Sequence, residues 1–389
     1  MEGFSRKLAV TGIGFICAAG DRMEDLDAAF AAARAPFSAD AQGLFFPVPD
    51  AFSPRIDGSV SAIHGGTRLD RTVKLAAFAA GACLQGPDGP PRGRVLVNIG
   101  SSRGATDTWE TEYTRFMETG SSSPKASPYS TPGNISSNVA ALLAGRSISI
   151  DHSVTCGSGL QAIANSAAWI RSGMADSALA GGAEAPLTPF TRSQMKALKI
   201  TAGAEAAFPA KPLFTGMPKS GMLLGEGAAV FALADARMAP DAGCFIAGIG
   251  LANERGGSPS GITGAGHALY EAMKAALRDA GTDRPDVIIT HAPGTEKGDP
   301  AEYAAIRRLF GERPPRLFTN KHILGHTLGA SGSLSLVTAC RLLQTGTVPA
   351  LPYPAFGQET LPATVRSVLV NATGFGGNAV SILVTGRVG

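Results

Sequence analysis

Three residues carry side chains from which covalent chemistry could be built. Cys156 stands in SVTCGSGLQAIANSAAWI, His291 in VIITHAPGTEKGDPAE and His326 in TNKHILGHTLGASGS. Strand-type residues precede Cys156 and a helical pattern follows it. The cysteine therefore falls at a helix N-terminus, where free N–H groups and the helix dipole favour a thiolate. Gly157 and Gly159 allow a substrate or another backbone to come close. A nucleophile on such a turn suits attack on a thioester, although a buried structural cysteine fits the same stretch. His291 closes a buried strand, a place that faces a cleft in many α/β folds; taken alone it reads equally as a polar loop residue. Lys321, just before His326, could hold a carboxylate or donate to an imidazole, and the adjacent His322 is expected to be structural or exposed. Gly374–Phe375–Gly376–Gly377 is a turn whose N–H groups could aim at an oxyanion. It fails as a phosphate loop, because no Lys-Ser/Thr pair follows.

The elements that must position these residues come in pairs. AVTGIGF at 9–15 is echoed by FIAGIGL at 245–251, and VLVNIGSS at 95–102 by VIITHAPG at 287–294. ISIDHSVTCGSGLQAIANSAAWI at 148–170 parallels LFTNKHILGHTLGASGSLSLVTACRLL at 317–343, and GEGAAVFALA at 225–234 parallels GGNAVSILVT at 376–385. Four matches in one order imply a duplication, with halves at 1–240 and 241–389 and a joint near the turn-rich MAPDAG at 238–243. In this register His326 occupies in the second half the place of Cys156 in the first, and pseudo-symmetry would bring the two helix starts together near the centre. The strands are continuous apolar runs, which predicts sheets covered by helices on both faces. The excess of the first half sits at 103–145 and 190–222, where Ser, Pro and Gly clusters predict loops or lids.

Composition sets the outer limits. In 389 residues, 44% are hydrophobic and 17% charged, enough apolar surface for a large core. A net charge of +3 is too weak for a dedicated nucleic-acid binder. No apolar run approaches the ~18 residues of a membrane span, and the N-terminus lacks the pattern of a secretory signal. Cys17, Cys83, Cys156, Cys244 and Cys340 form no CxxC pair, so neither a disulfide framework nor a structural zinc site is expected. These points predict a reduced, cytoplasmic protein.

Taken together, the motifs resemble the β-ketoacyl-acyl carrier protein synthases, the elongating Cys-His-His branch of the thiolase superfamily. The likeness runs through VTGIGF, SPYSTPGNISSNVA, VTCGSG, HAPGTEKGDPAE, NKHILGHTLGASG and GFGG, in the family's order and at its intervals. It implies an α/β, thiolase-like duplicated fold, layered αβαβα with two pseudo-symmetric halves. It also implies a decarboxylative Claisen condensation of an acyl-enzyme with malonyl-acyl carrier protein. Cys156 would become acylated, with the N–H groups of Cys156 and Phe375 as oxyanion hole. His291 and His326 would stabilise the enolate left by carbon dioxide. Lys321, paired with Glu302, would orient His326, and Asp299 would support the His291 loop. Phe375 would also gate the acyl pocket, and Thr295 would bind pantetheine. His64, His152 and His267 match no catalytic motif.

The resemblance further implies no cofactor or metal, acyl carrier protein as partner, and a homodimer or a heterodimer with a chain-length-factor-like subunit. Arg68, Arg71 and Lys74, placed on one helix face, resemble the family's basic docking region; a solvated helix edge reads the same way. The chain departs from the family at Ala292 and Pro293, where His-Gly-Thr is usual, so the second pantetheine threonine is replaced by Pro293. Ser335 stands where many members have Glu, and KPLF at 211–214 lacks the family's Asp. Within fatty acid, polyketide or aryl-polyene-type biosynthesis, these changes, with SSRGAT after the 95–100 strand, suggest a specialised pathway such as an aryl-polyene or other polyene pigment assembly line. A non-catalytic partner subunit would have lost its nucleophile. A thiolase would carry a second cysteine near the C-terminus, and a cysteine hydrolase would leave two histidines and the duplication unexplained.

Overall fold

The apolar runs that pair between the two halves as strands do form strands. In the computed structural model, which describes residues 7–387 except 62, 64, 87–88, 144, 146, 204–205, 255–262 and 360–361, ten strands make one sheet. His64 lies outside the described residues. The strands are β1 (Leu8–Ile16), β2 (Val95–Gly100), β3 (Ser147–His152), β4 (Ser177–Glu184), β5 (Gly227–Asp235), β6 (Cys244–Asn253), β7 (Val287–Ile289), β8 (Arg316–Phe318), β9 (Ser367–Thr373) and β10 (Asn378–Gly386). Their order across the sheet is β8-β7-β9-β10-β6-β1-β5-β4-β2-β3. Read outward from the seam, each half runs first, fifth, fourth, second, third. In each half the first strand is antiparallel to the fifth and the fifth to the fourth, and the outer pairs are parallel. At the seam β1 meets β6 antiparallel over only Leu8↔Ile246 and Ala9↔Phe245.

The helices that matter for the site are α1 (Arg71–Leu84), α2 (Thr106–Thr119), α3 (Ser158–Arg171), α4 (Pro189–Ala197), α5 (His267–Ala280), α6 (Gly298–Phe310) and α7 (Ser331–Thr345). α1 covers the outer face of β1 and β5, and α5 covers β6 and β10. Between the half-sheets, α3 and α7 touch each other and strands of both halves. This is the layered, duplicated arrangement that the sequence motifs imply.

The repeated Gly-x-Gly has a steric reason. A Cβ on Gly14 of β1 would sit 2.0 Å from the Ala79 carbonyl oxygen of α1, and one on Gly250 of β6 would sit 1.9 Å from the Ala272 oxygen of α5. Gly12 and Gly248 press on the same helices. Both halves thus bring a strand backbone directly onto a helix backbone, which only glycine permits. Gly250→Ala is expected to lower the unfolding free energy by about 1–3 kcal/mol, as overpacking does, with a lower urea midpoint at unchanged slope. An unchanged midpoint would show that strand and helix separate at no cost.

The 103–145 region departs from the loop expectation. It contains α2 and the short helices Ala126–Ser130 and Asn134–Ala140, and the 190–222 stretch opens inside α4. The Ser, Pro and Gly clusters lie in part between these helices, at 120–125 and 131–133, and so hid them in the composition.

Candidate active site

Cys156 sits two residues before α3. Thr155 is held at φ +54°, a left-handed conformation that is uncommon outside glycine. The turn at 374–377 lies directly on this corner: a Cβ on Gly374 would be 2.8 Å from the Cys156 nitrogen. Thr155 Oγ1 donates to the Phe375 carbonyl at 3.1 Å, and Asn378 Nδ2 donates to it at 3.2 Å. The Phe375 carbonyl is thereby fixed, and its own N–H is left free. Among the described residues, neither the Cys156 N–H nor the Phe375 N–H has a partner. Two unpaired backbone donors beside a sulfur are the elements of an oxyanion site. The Phe375 ring is 40% exposed at the mouth of the site.

The half-buried Cys156 packs against a small apolar cluster of Met195, Met222, Leu224 and Leu328, with Leu187 and Ile200 at its margin. Burial pushes its thiol up to about 12; the Glu184 carboxylate adds to this, and the Lys321 ammonium opposes it. The thiolate expected from the helix start is therefore not the resting form. Below the pKa the thiolate fraction rises tenfold per pH unit. Iodoacetamide alkylation of Cys156, followed by peptide mass mapping, is expected to keep climbing to at least about pH 10. A plateau below 9 would show that the helix start outweighs burial.

His291 and His326 face each other, with ring centroids 5.1 Å apart and planes at 76°. Both are buried. Burial lowers His326 to about 3 and His291 well below the usual imidazole range, with Lys321 contributing to each. Both rings are neutral at pH 7. His326 Nδ1 accepts the Leu328 N–H at 3.1 Å, which places the proton of the neutral ring on Nε2. The main chain of His326 bonds Leu223 and Gly225, beside the Leu224 that packs on Cys156.

Two carboxylates three residues apart at the start of α6 hold the His291 loop. Glu302 accepts from the N–H groups of His291 (3.0 Å) and Ala292 (2.7 Å) and from Asn371 Nδ2 (3.0 Å). Asp299 accepts from Gly294 (2.8 Å) and Thr295 (3.1 Å), and its other oxygen takes the Leu213 N–H at 2.7 Å. Asp299 thus also ties down the 211–214 loop; burial raises its carboxyl to about 6. Thr295 is half-buried, and its hydroxyl oxygen accepts the Gly298 N–H at 3.1 Å.

Three readings need correction. First, Lys321 is buried and lowered by that burial to about 8, but it closes no ion pair with Glu302: its ammonium reaches the Thr290 carbonyl at 3.5 Å, and Glu302 is already occupied by three N–H donors. Second, His326 is not the duplicate of Cys156. Thr155 and Leu328, both at positive φ, stand three residues before α3 and α7, so Gly329 is the counterpart of Cys156. Third, Arg68, Arg71 and Lys74 do not share a helix. Asp70 caps α1, accepting from Thr72, and Arg68 lies before that cap. Arg71 turns inward to Glu226 (2.6 and 2.8 Å), and Lys74 bonds Asp57 at 2.8 Å, which leaves Arg68 as the exposed cation of the three. Of the two places expected for His322, the structural one holds: it is buried against Phe30, Phe208, Phe318 and Tyr353. His152 bonds Asn98 at 2.9 Å, a structural contact.

Glu184, at the end of β4, was not singled out from the sequence. It is fully buried, with burial raising its carboxyl to about 7, and it accepts from Ser101 Oγ and from the N–H groups of Ser102, Arg103 and Gly329 at 2.7–3.0 Å. It ties the turn after β2 to the start of α7, beside Cys156. A lone glutamate ending the apolar strand SALAGGAE was the available signal.

A duplicated, five-layered α/β fold, with a cysteine at one central helix start and two neutral histidines facing each other, defines the thiolase-like class of acyl-transferring enzymes. The chain belongs to the β-ketoacyl synthase family. Residues 21–239 match the β-ketoacyl synthase N-terminal domain, and residues 244–352 match the C-terminal domain. It is 31% identical to the 3-oxoacyl-[acyl-carrier-protein] synthase 2 of Vibrio cholerae over 75% of each chain. It is 29% identical to the tetracenomycin polyketide synthase ketoacyl synthase alpha subunit of Streptomyces glaucescens, over 86% of this chain and 83% of that one. The solved ishigamide ketosynthase/chain length factor shares the fold, with a TM-score of 0.83, 22% identity, and coverage of 99% of this chain and all of that one. The protein is accordingly a condensing enzyme that transfers acyl groups. No described helix is long and apolar enough to cross a membrane.

Proposed function

We propose that Cys156 takes an acyl group from a carrier thioester and that the acyl-enzyme is then extended by decarboxylative condensation with a malonyl thioester on acyl carrier protein. The observation that carries this reading is the pair of unpaired N–H groups, of Cys156 and Phe375, at the corner that holds the sulfur, in a molecule whose two buried neutral histidines face each other. The Cys156 sulfur forms the new C–S bond, the carrier sulfur leaves, and the thiol proton passes to it. The oxyanion of the tetrahedral intermediate takes hydrogen bonds from the two N–H groups. When the malonyl group loses carbon dioxide, the electron pair moves to the thioester oxygen. That oxygen is received by His326 Nε2–H and by the His291 ring. The enolate carbon then attacks the acyl carbonyl, the C–S bond to Cys156 breaks, and the β-ketoacyl product leaves on the carrier. Decarboxylation supplies the electrons, so this scheme calls on no resident metal or prosthetic group. Lys321, Asp299 and Glu302 act as positioning residues, Thr295 contacts the pantetheine arm, and the Phe375 ring gates the mouth.

The reading also takes a partner subunit, in a dimer, on the open edge of the sheet. The sheet ends on β3, whose Ile148 is exposed, and α2 presents Trp109, Tyr113, Phe116 and Met117 to solvent. Such an apolar helix face in a cytoplasmic enzyme of a specialised, polyketide-like pathway suits a second copy or a chain-length-factor-like subunit. Arg68 remains as the docking cation for the acidic carrier. The test is the intact mass of the protein with acyl-carrier protein, then after malonyl-carrier protein is added. One acyl adduct on Cys156 that disappears as a 3-ketoacyl product forms is the expected result; absence of an adduct with every donor tried, with or without a partner subunit, would sink the reading.

A further inference from the structure

α4, which gives Met195 to the cluster against Cys156, also carries polar groups that are incompletely paired. Met195 of the cluster lies on α4, and Thr191 stands one turn earlier on the same face, about 6 Å along the axis. The Thr191 hydroxyl is completely buried and has no hydrogen-bond partner. Gln194, between them, takes a hydrogen bond from Arg103. Arg103 belongs to the turn whose backbone binds Glu184, the carboxylate beside Cys156. The Arg103 Nε is buried with no acceptor, and among the described residues no carboxylate pairs with its guanidinium. A half-sequestered cation whose one side-chain partner is a neutral amide still has donors to place.

An acyl group on Cys156 has two ways to run. The mouth, beside the exposed Phe375, is the side open to a carrier arm. The other way leads through Met195 and Met222, unbranched side chains that yield to an occupant. A chain that takes this way meets Thr191, Gln194 and Arg103. We propose that this end of the acyl pocket selects chains whose distal part carries a hydrogen-bond-accepting oxygen, held by Arg103 and Thr191. The proposal rests on the acyl-enzyme reading of Cys156. A plain alkyl chain would desolvate the same donors and give them nothing, and discrimination of this kind comes from the unpaired groups that the wrong substrate leaves behind.

The test compares acylation of Cys156 by N-acetylcysteamine thioesters of octanoic, 8-hydroxyoctanoic and octanedioic acid (one carboxyl free), followed by intact mass. In each case the Cys156 C–S bond forms and N-acetylcysteamine leaves with the thiol proton. The expected result is acylation by at least one oxygen-ended chain about tenfold faster than by octanoyl. Arg103→Leu should abolish that preference, and Thr191→Val should reduce it about threefold; melting curves check that both variants fold. Arg103 uses its backbone N–H toward Glu184, a bond that the Leu variant keeps. Wild-type rates that are equal or favour octanoyl would overturn the proposal, as would a preference that survives in Arg103→Leu. Acylation by none of the three would overturn the acyl-enzyme reading itself, and the proposal with it.

Discussion

Replacing Cys156 with Ala is expected to abolish the acyl adduct and to lower condensation by on the order of 10⁴-fold or more. The reason is local. The other four cysteines are buried, and burial pushes Cys17 and Cys83 up to about 12. No other thiol has the two free backbone donors that Cys156 has. The substitution should leave the fold intact, because Met195, Met222, Leu224 and Leu328 still close over a methyl group. Stoichiometric intact-mass labelling reads the first effect and product formation the second. An adduct that persists in Cys156→Ala would place the nucleophile elsewhere and remove the basis of the proposed mechanism.

Removing either imidazole should separate the two half-reactions. In His326→Ala and His291→Ala, acylation of Cys156 is expected to proceed while condensation falls by about 10²–10⁴-fold, because the enolate oxygen loses a donor that acts only in the second step. The two rings face each other at 5.1 Å, so the double variant should cost less than the product of the single losses. The charge state is also checkable. With burial lowering His326 to about 3, the ring takes up a second proton only as pH falls through that value. ¹⁵N NMR of labelled histidine should therefore show His326 neutral, with the proton on Nε2, from pH 8 down to about 5. A titration near 6.5 would mean that water reaches the ring, and that the donors to the enolate are cationic.

Much of this arrangement was legible in the residues because the duplication repeats its steric demands. TGIG and AGIG recur since both halves press a strand onto a helix with no room for a Cβ. Cys156, His291 and the 374–377 turn stand at strand ends or helix starts, where a change of hydrophobic pattern marks the chain. What escaped the sequence depends on distant partners. Arg71 reads as a free surface cation until Glu226, 155 residues away, is folded against it. The missed role of Glu184 arises from donors at 101–103 and 329, which no local pattern reveals. The duplicate of Cys156 is displaced by three residues because two Gly/Ser-rich helix openings can be aligned more than one way; the positive φ of Thr155 and Leu328 settles the alignment only in three dimensions.

The order of strands also governs when a nascent chain can acquire a working site. β1 is synthesised first yet lies between β5 and β6, so it has no ladder partner until residues 227–235 have emerged. β10 is made last among the strands and sits between β6 and β9, inside its half. Every side chain of the candidate site is already translated before Asn378, yet the 374–377 turn that approaches Cys156 is closed by the β9–β10 hairpin, whose second strand is still to come. A ribosome that stalls after Gly377 would hold a complete set of reactive groups on a half-sheet with a missing interior strand. Such a chain would present two long unpaired strand edges, the surfaces most prone to aggregation, and the thiol would remain without its second oxyanion donor until the final strand closes.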